Sequence, residues 1–439
     1  MVDEIQFRTW KGRGAVSNHG SRFNDCQLVP VDDGWSAGED EEFDSPVATS
    51  VCRVTARTII TRNKSPDVPF ELAVNPYRGC EHGCVYCFAR PSHAWLGLSP
   101  GLDFETRLLC KPGAGELLKA ELARPGYRCR PIAVGINTDG WQPVERRLKI
   151  TRQVLHDCHP PFSVVTKSAL IERDIDILSP MAEQGLVHVA VSITTLQGDI
   201  ARFLEPRAAA PHRHLKTISA LVAAGIPVSV LVAPLIPVLT DGELETILGR
   251  AREAGASDAG YILLRLPHEI KDLFRGWLDT HRPCMTEHVF RRMHESHGGR
   301  AYDASFGTRI TGTGVYADLL ARRFEIAKQK LGFHAPAALE AKHLRPPVGT
   351  TQMDHFLEVS VRISRRDCQS AAVIPGILVL SSVVPDPVLP RGRLRAGSGV
   401  VRNNQAVRTY SSLISAGNVR CHPIRRAWKF ARVTGSNRS

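Results

Sequence analysis

No stretch of this chain is long and apolar enough to cross a bilayer. The longest apolar run, near residues 371–384, is broken by Pro375 and Gly376, and a spanning helix needs about 20 consecutive apolar residues. Residues 1–14 are polar and charged, so the apolar centre of a secretory signal is missing and a cytoplasmic protein is expected. Bulk charge is also missing from most of the chain. The formal net charge is +12, but residues 357–439 hold thirteen arginines and one lysine against Glu358, Asp367 and Asp386. The first 356 residues are therefore near neutrality, and a basic groove there must come from local arrangement. Past residue 346 periodicity is lost as well. Pro, Ser and Arg mix without a helical or strand pattern, and a basic tail of low order is expected over residues 336–439, read as lying outside the ancestral domain and consistent with read-through or frame-shifted sequence.

Eleven cysteines are present in 439 residues. In a reducing compartment clustered cysteines are metal ligands before they are disulfides. Three of them crowd into Gly79-Cys80-Glu81-His82-Gly83-Cys84-Val85-Tyr86-Cys87. Three converging thiolates suit an iron–sulfur cluster that leaves one iron without a protein ligand. Two other readings compete. A structural zinc site could use Cys80, His82, Cys84 and Cys87, but zinc sites usually draw ligand pairs from two places, and no second pair with that spacing occurs. A core of packed cysteines is the third reading, against which the density of the motif argues.

Around this motif the chain alternates short apolar runs with amphipathic segments. Strands are expected at 71–76, 131–137, 162–167, 187–194, 227–236 and 259–266, several of them continuous apolar runs of the kind buried on both faces. Helices are expected at 115–123, 144–158, 171–183, 212–224 and 241–254. Gly225 and Gly255 stand where a helix C-terminus favours glycine, and Asp241 is a candidate N-cap. Six such units imply an α/β fold, an incomplete parallel (β/α)6 barrel over 66–268, with a doubly wound sheet as the alternative. Residues 1–65 read as an irregular leader containing an acidic, solvated run at 32–42, with a short strand or hairpin near 51–60. Residues 269–335 read as a helical extension with helices near 268–280, 287–297 and 317–331, and the Gly-rich stretch 306–316 as a structural turn. Polar residues stand at the C-terminal strand ends, where barrel enzymes carry their chemistry: Asn137-Thr138-Asp139, Thr166-Lys167-Ser168, Ser192-Ile193-Thr194 and Arg265.

The motif Cys80-x3-Cys84-x-Tyr86-Cys87 resembles the signature of the radical S-adenosylmethionine (radical SAM) superfamily. Asn75-Pro76-Tyr77-Arg78-Gly79-Cys80, the run Tyr86-Cys87-Phe88-Ala89-Arg90, Asn137-Thr138-Asp139 through Glu145, and Leu204-Glu205-Pro206-Arg207 are similar to the branch that contains spore photoproduct lyase and its uncharacterised "DNA repair photolyase"-like relatives. The likeness spans roughly residues 11–333. It implies a [4Fe–4S] cluster on Cys80, Cys84 and Cys87, with SAM on the open iron. It further implies reductive cleavage of SAM to a 5′-deoxyadenosyl radical that takes hydrogen from a substrate, and an electron donor of the flavodoxin or ferredoxin type. The substrate is not fixed by it; DNA or RNA are candidates. Carried over residue by residue, Tyr86, Thr138, Lys167 and Ser192 would contact SAM. Asp139, Gln142 and Glu145 would line the chamber, and Glu205 and Arg207 would pair with each other. One departure stands out. The lyase's hydrogen-donating cysteine falls at Ile136, so thymine-dimer repair is in doubt. Without catalysis, the same motif would mark an iron–sulfur nucleic-acid binder or redox sensor. Deleting residues 357–439 is expected to leave the thermal midpoint and iron content of the purified protein unchanged; loss of either would make the tail part of the folded domain.

Overall fold

A computed structural model describes residues 9–18, 20–23 and 47–340, all of them in the first of two compact units, Met1–Gly349. The acidic run at 32–42 and the tail from 341 onward lie outside the described residues. Ten strands occur among those described: β1 (Ser50–Arg53), β2 (Ile60–Arg62), β3 (Leu72–Val74), β4 (Tyr77–Arg78), β5 (Arg107–Cys110), β6 (Ile132–Val134), β7 (Phe162–Thr166), β8 (Val187–Ser192), β9 (Val228–Leu235) and β10 (Asp258–Leu263). The helices are α1 (Leu102–Thr106), α2 (Ala114–Leu122), α3 (Glu145–Leu148), α4 (Ile150–Asp157), α5 (Ile175–Glu183), α6 (Gly198–Leu204), α7 (Pro211–Ala223), α8 (Leu244–Glu253), α9 (Ile270–His281), α10 (Thr286–Ser296) and α11 (Val315–Lys330).

The six expected strands pair in parallel and in chain order, β3-β6-β7-β8-β9-β10. A doubly wound sheet reverses its order at a switch point; this one never does. The sheet does not close among the described residues, since β10 is one edge and β2, antiparallel to β3, is the other. The architecture is thus α/β with an open, barrel-like run of six parallel strands. Val164, Val189, Val230 and Val232 are fully covered, as strands buried on both faces require.

Of the two alternatives for 51–60 the short strand is found and the hairpin is not: β1 joins β5 in a separate three-stranded sheet, β1-β5-β4, whereas β2 joins the main sheet. Two local expectations fail for identifiable reasons. The helix expected at 144–158 breaks at Lys149, whose φ is 54°, because the Glu145 carboxylate turns back to accept from the Thr151 and Arg152 amides at 3.2 and 3.1 Å. Asp241 does not cap a helix; its carboxylate accepts the Tyr316 hydroxyl proton instead. By contrast Gly225 and Gly255 follow α7 and α8 with φ of 77° and 103°, the left-handed geometry expected of a helix stop.

Among the described residues two large apolar cores form, beside a small cluster of Cys80, Ala89 and Phe104. One lies under the sheet and includes Ile132, Phe162, Val189 and Leu221. The other packs Cys84, Val85 and Tyr86 against Ile236, Leu264, Phe274 and Trp277, so the cysteine loop is clamped by the strand ends and α9. Gly135, at the end of β6, has φ of 90°, and a Cβ there would lie 2.1 Å from the Val165 carbonyl oxygen. Neither backbone can yield without breaking the β6–β7 pairing. Gly135→Ala is expected to cost on the order of 3 kcal/mol, read as a lowered urea midpoint at unchanged slope.

Candidate functional site

The cysteine loop leaves the C-terminal end of β3 and is held from every side. The Cys80 amide donates to the Phe104 carbonyl at 3.0 Å, and the Val85 amide to Leu204 at 3.1 Å. Gln142 accepts the Glu81 amide at 2.9 Å and donates to the Gly79 carbonyl at 3.2 Å. Thr138 donates to the same carbonyl at 2.7 Å. Beneath the loop lies Arg90, fully buried. Its Nε reaches the Cys84 carbonyl at 2.8 Å, its Nη1 the Pro100 and Gly101 carbonyls at 3.1 and 2.8 Å, and its Nη2 the Gly83 carbonyl at 3.2 Å and Glu105 Oε1 at 2.5 Å. A guanidinium has five N–H donors, and all are used. Glu105, equally buried, also accepts the Gly14 and Ala15 amides at 3.0 and 2.8 Å. The leader read as irregular therefore threads into the site. Gly14 is required there, because a Cβ would sit 1.9 Å from the Gly83 carbonyl oxygen.

Cys80 and Cys84 are buried and Cys87 is half-buried. Burial raises all three thiols above their ordinary pKa; for Cys84 the Glu205 carboxylate adds to it. Such thiols stay protonated unless a metal deprotonates them. No three His, Cys, Asp or Glu side chains among the described residues are grouped to hold one metal ion, and His82 turns to Asp139 at 3.4 Å. Cluster thiolates ligate separate irons and need not meet at one point, so the donor set fits an iron–sulfur cluster. Cys110 and Cys158 belong to the core under the sheet.

Tyr86, Lys167 and Ser192 come together around two shared partners, Thr194 and the Ala233 carbonyl. Lys167 Nζ lies 3.0 Å from Glu205 Oε1, 2.8 Å from Thr194 Oγ1 and 3.1 Å from the Ala233 oxygen, and 5.8 Å from the Tyr86 ring centre. The Tyr86 hydroxyl donates to Glu205. Ser192 donates to the Ala233 oxygen at 3.0 Å. Burial pushes the Glu205 carboxyl up, but Lys167 with the Thr194 and Tyr86 hydroxyls outweighs it, leaving the group below its ordinary value. Thr138 stands apart, beneath Gly79.

The structure corrects several site expectations. Glu205 does not pair with Arg207; Arg207 binds Glu81 at 3.0 Å. Gln142 and Glu145 are fully buried and serve the fold, Glu145 by binding Tyr77 and Arg173. Asp139 does reach the chamber side, accepting from Thr166 at 2.9 Å and from the Lys167 amide at 2.8 Å. Residue-by-residue reading missed Glu205 as the partner of Lys167, and His214, whose Nε2 lies 2.8 Å from the Lys167 carbonyl. Two polar residues separated by 38 positions in sequence give no local sign that they meet. Arg265, at the last strand end, stacks on Phe88 at 4.3 Å.

This site defines a class: an α/β protein carrying three cysteines, two of them buried, on the loop after its first parallel strand, near a largely buried lysine–carboxylate pair. Residues 74–251 match the sequence profile of the radical SAM superfamily, and the chain belongs to that superfamily, whose members are enzymes that use SAM and an iron–sulfur cluster. An uncharacterised protein of Mycobacterium tuberculosis is 34% identical over 339 residues, covering 74% of this chain and 96% of its own length. An uncharacterised protein of Methanocaldococcus jannaschii is 24% identical over 204 residues, covering 46% of this chain and 73% of its own. Among solved structures, a spore photoproduct lyase variant is similar with a TM-score of 0.49 at 14% identity, over 64% of this chain and 80% of that one. No helix among the described residues is long and apolar enough to cross a membrane.

Burial holds the His214 pKa down at about 4, against about 6.5 in an unfolded chain. The folded protein thus prefers the neutral ring. This contribution is complete above pH 6.5 and is lost as pH falls toward 4, amounting to roughly 2 kcal/mol between pH 7 and pH 5. His214→Gln is expected to show a smaller fall in urea midpoint over that interval than the unaltered protein; equal falls would remove His214 from the account.

Proposed function

We propose that the chain is a radical SAM enzyme of the spore photoproduct lyase-like branch, acting on an organic substrate by hydrogen abstraction. The observation that supports this best is the placement of Cys80, Cys84 and Cys87 next to the Lys167–Glu205–Tyr86 network. Cys80, Cys84 and Cys87 would hold a [4Fe–4S] cluster, which with an electron from a flavodoxin- or ferredoxin-type donor would supply cleavage of SAM to methionine and a 5′-deoxyadenosyl radical. Lys167 would offer its ammonium to the SAM carboxylate, a charge-assisted contact worth more in a buried site than in water. To do so it must share N–H donors now given to Thr194, Glu205 and the Ala233 oxygen. Glu205 keeps that ammonium in place through the exchange. Ser192 and Tyr86 would complete the SAM pocket, and Thr138 would act through the Gly79 carbonyl that it holds. The clamp of α9 over the cysteine loop excludes water, protecting a reactive radical from quenching.

The lyase's cysteine position is occupied by Ile136, half-buried at the end of β6. An aliphatic side chain cannot return a hydrogen atom as a thiol does, so the final hydrogen must come from elsewhere, and the reading supports hydrogen abstraction more than dimer repair. Anaerobic reconstitution followed by dithionite and SAM is expected to yield 5′-deoxyadenosine. Cys80→Ala, Cys84→Ala and Cys87→Ala should each lose both iron and product, whereas Cys110→Ala, Cys129→Ala and Cys158→Ala keep both. An intact cluster that forms no 5′-deoxyadenosine would replace the enzyme with a redox or nucleic-acid sensor.

A further inference from the structure

A cleft of about 320 Å³ opens beside the chamber, at the C-terminal ends of β6, β7 and β8. Four arginines line it, Arg146, Arg173, Arg207 and Arg213, with Trp141 and Ser168 among its walls, and no Asp or Glu side chain. Acids lie behind the arginines instead. Arg173 is spent on Asp174 and Glu145, at 2.7 and 3.0 Å. Arg207 pairs with Glu81 at 3.0 Å through Nη1, and Arg213 with Glu172 at 2.6 Å through Nη2. Each of these two uses one terminal nitrogen, so the rest of each guanidinium edge is free to donate. The Arg146 side chain makes no hydrogen bond or ion pair among the described residues. The fold thus holds two guanidinium forks in fixed orientations, on the stretch that leads into and begins α7, and a third uncommitted on α3, around one space.

Planar forks of this kind match tetrahedral oxyanions, which accept paired N–H bonds. The space is larger than one carboxylate needs, and several forks around it suit a ligand with more than one charged group. One wall of the cleft is tied to the Lys167 segment. Ala208 and Ala209 line it, and the Ala209 amide donates to the Lys167 carbonyl at 3.2 Å. A ligand anchored here would reach toward the lysine–glutamate network with its uncharged part.

We propose that Arg146, Arg207 and Arg213 form a phosphoryl-binding cleft that anchors the substrate of this enzyme while its reacting carbon enters the chamber. This rests on reading the chamber as the place of hydrogen abstraction, but its test does not depend on turnover. Binding to the full chain with its cluster reconstituted is measured in two arms, without reductant. One arm uses a fluorescein-labelled single-stranded oligonucleotide at several salt concentrations; the other uses inorganic pyrophosphate, followed by thermal shift. Binding of the oligonucleotide assigns phosphodiesters of a nucleic-acid chain, and binding of pyrophosphate alone assigns a small phosphorylated molecule; either supports the cleft. Arg146→Gln and Arg213→Gln should each weaken the bound probe about tenfold, and for the oligonucleotide should lower the salt slope by about one. Arg146 is exposed and unpaired, so its variant should keep the thermal midpoint, and Arg146→Glu should weaken binding further. Lys119→Gln, an exposed cation on α2, is the control. Binding of neither probe, equal loss with Lys119→Gln, or full affinity in Arg146→Glu would overturn the proposal. So would loss of iron or of SAM binding in Arg146→Gln, which would assign the residue to the cofactors.

Discussion

The buried ion pair between Arg90 and Glu105 is the constraint on which the site depends. Both side chains are fully covered, where an isolated charge is severely penalised and a lost partner costs about 3–5 kcal/mol. The pair is tolerable because every donor of Arg90 is used, four of them on backbone carbonyls of the cysteine loop and of residues 100–101. Glu105 in turn draws in the Gly14 and Ala15 amides. One desolvated pair thereby fixes the loop that carries the thiols, the start of α1 and the leader strap. Its value lies in geometry more than in stability, since an apolar pair of equal volume could fill the space but could not fix carbonyls.

A second buried pair, Lys167 and Glu205, works differently. Its partners are side chains and one carbonyl at strand ends, and Lys167 retains some exposure. The Arg90 pair is saturated and static. The Lys167 ammonium is shared among the Thr194 hydroxyl, the Ala233 carbonyl and the Glu205 carboxylate, and Glu205 also accepts the Tyr86 and Thr194 hydroxyls. Removing Glu205 would leave an ammonium without its counter-charge, and removing Lys167 would leave a buried carboxylate without one.

Much of this was legible in the chain. The six parallel strands follow from apolar runs whose spacing is local, and the cysteine motif is contiguous. Lys167 and Ser192 stand at the ends of β7 and β8, so strand order puts them at one edge of the sheet, whereas Tyr86, on the cysteine loop, is linked to them only through the family resemblance. What escaped was non-local. Residues 13–15 carry no strand or helix pattern, and their burial depends on Glu105, about ninety positions away. The break at Lys149 arises from a carboxylate preferring two amides to a continued helix, a competition that periodicity does not register. Glu205 and Arg207, two residues apart in one motif, suggested each other, yet the chain directs them to opposite partners, Lys167 and Glu81.

That divergence organises the active face. Glu205 turns inward and balances the chamber, whereas Arg207 is held by Glu81, a residue of the cysteine loop itself. The Arg207 amide also donates to the His82 carbonyl at 3.2 Å. One short segment after α6 therefore touches the thiol loop, the lysine network and the arginine-lined cleft. A shift of this segment cannot move one without the others, because each contact is a directional hydrogen bond with little slack. Thiol loop and cleft are thus positioned by the same few residues.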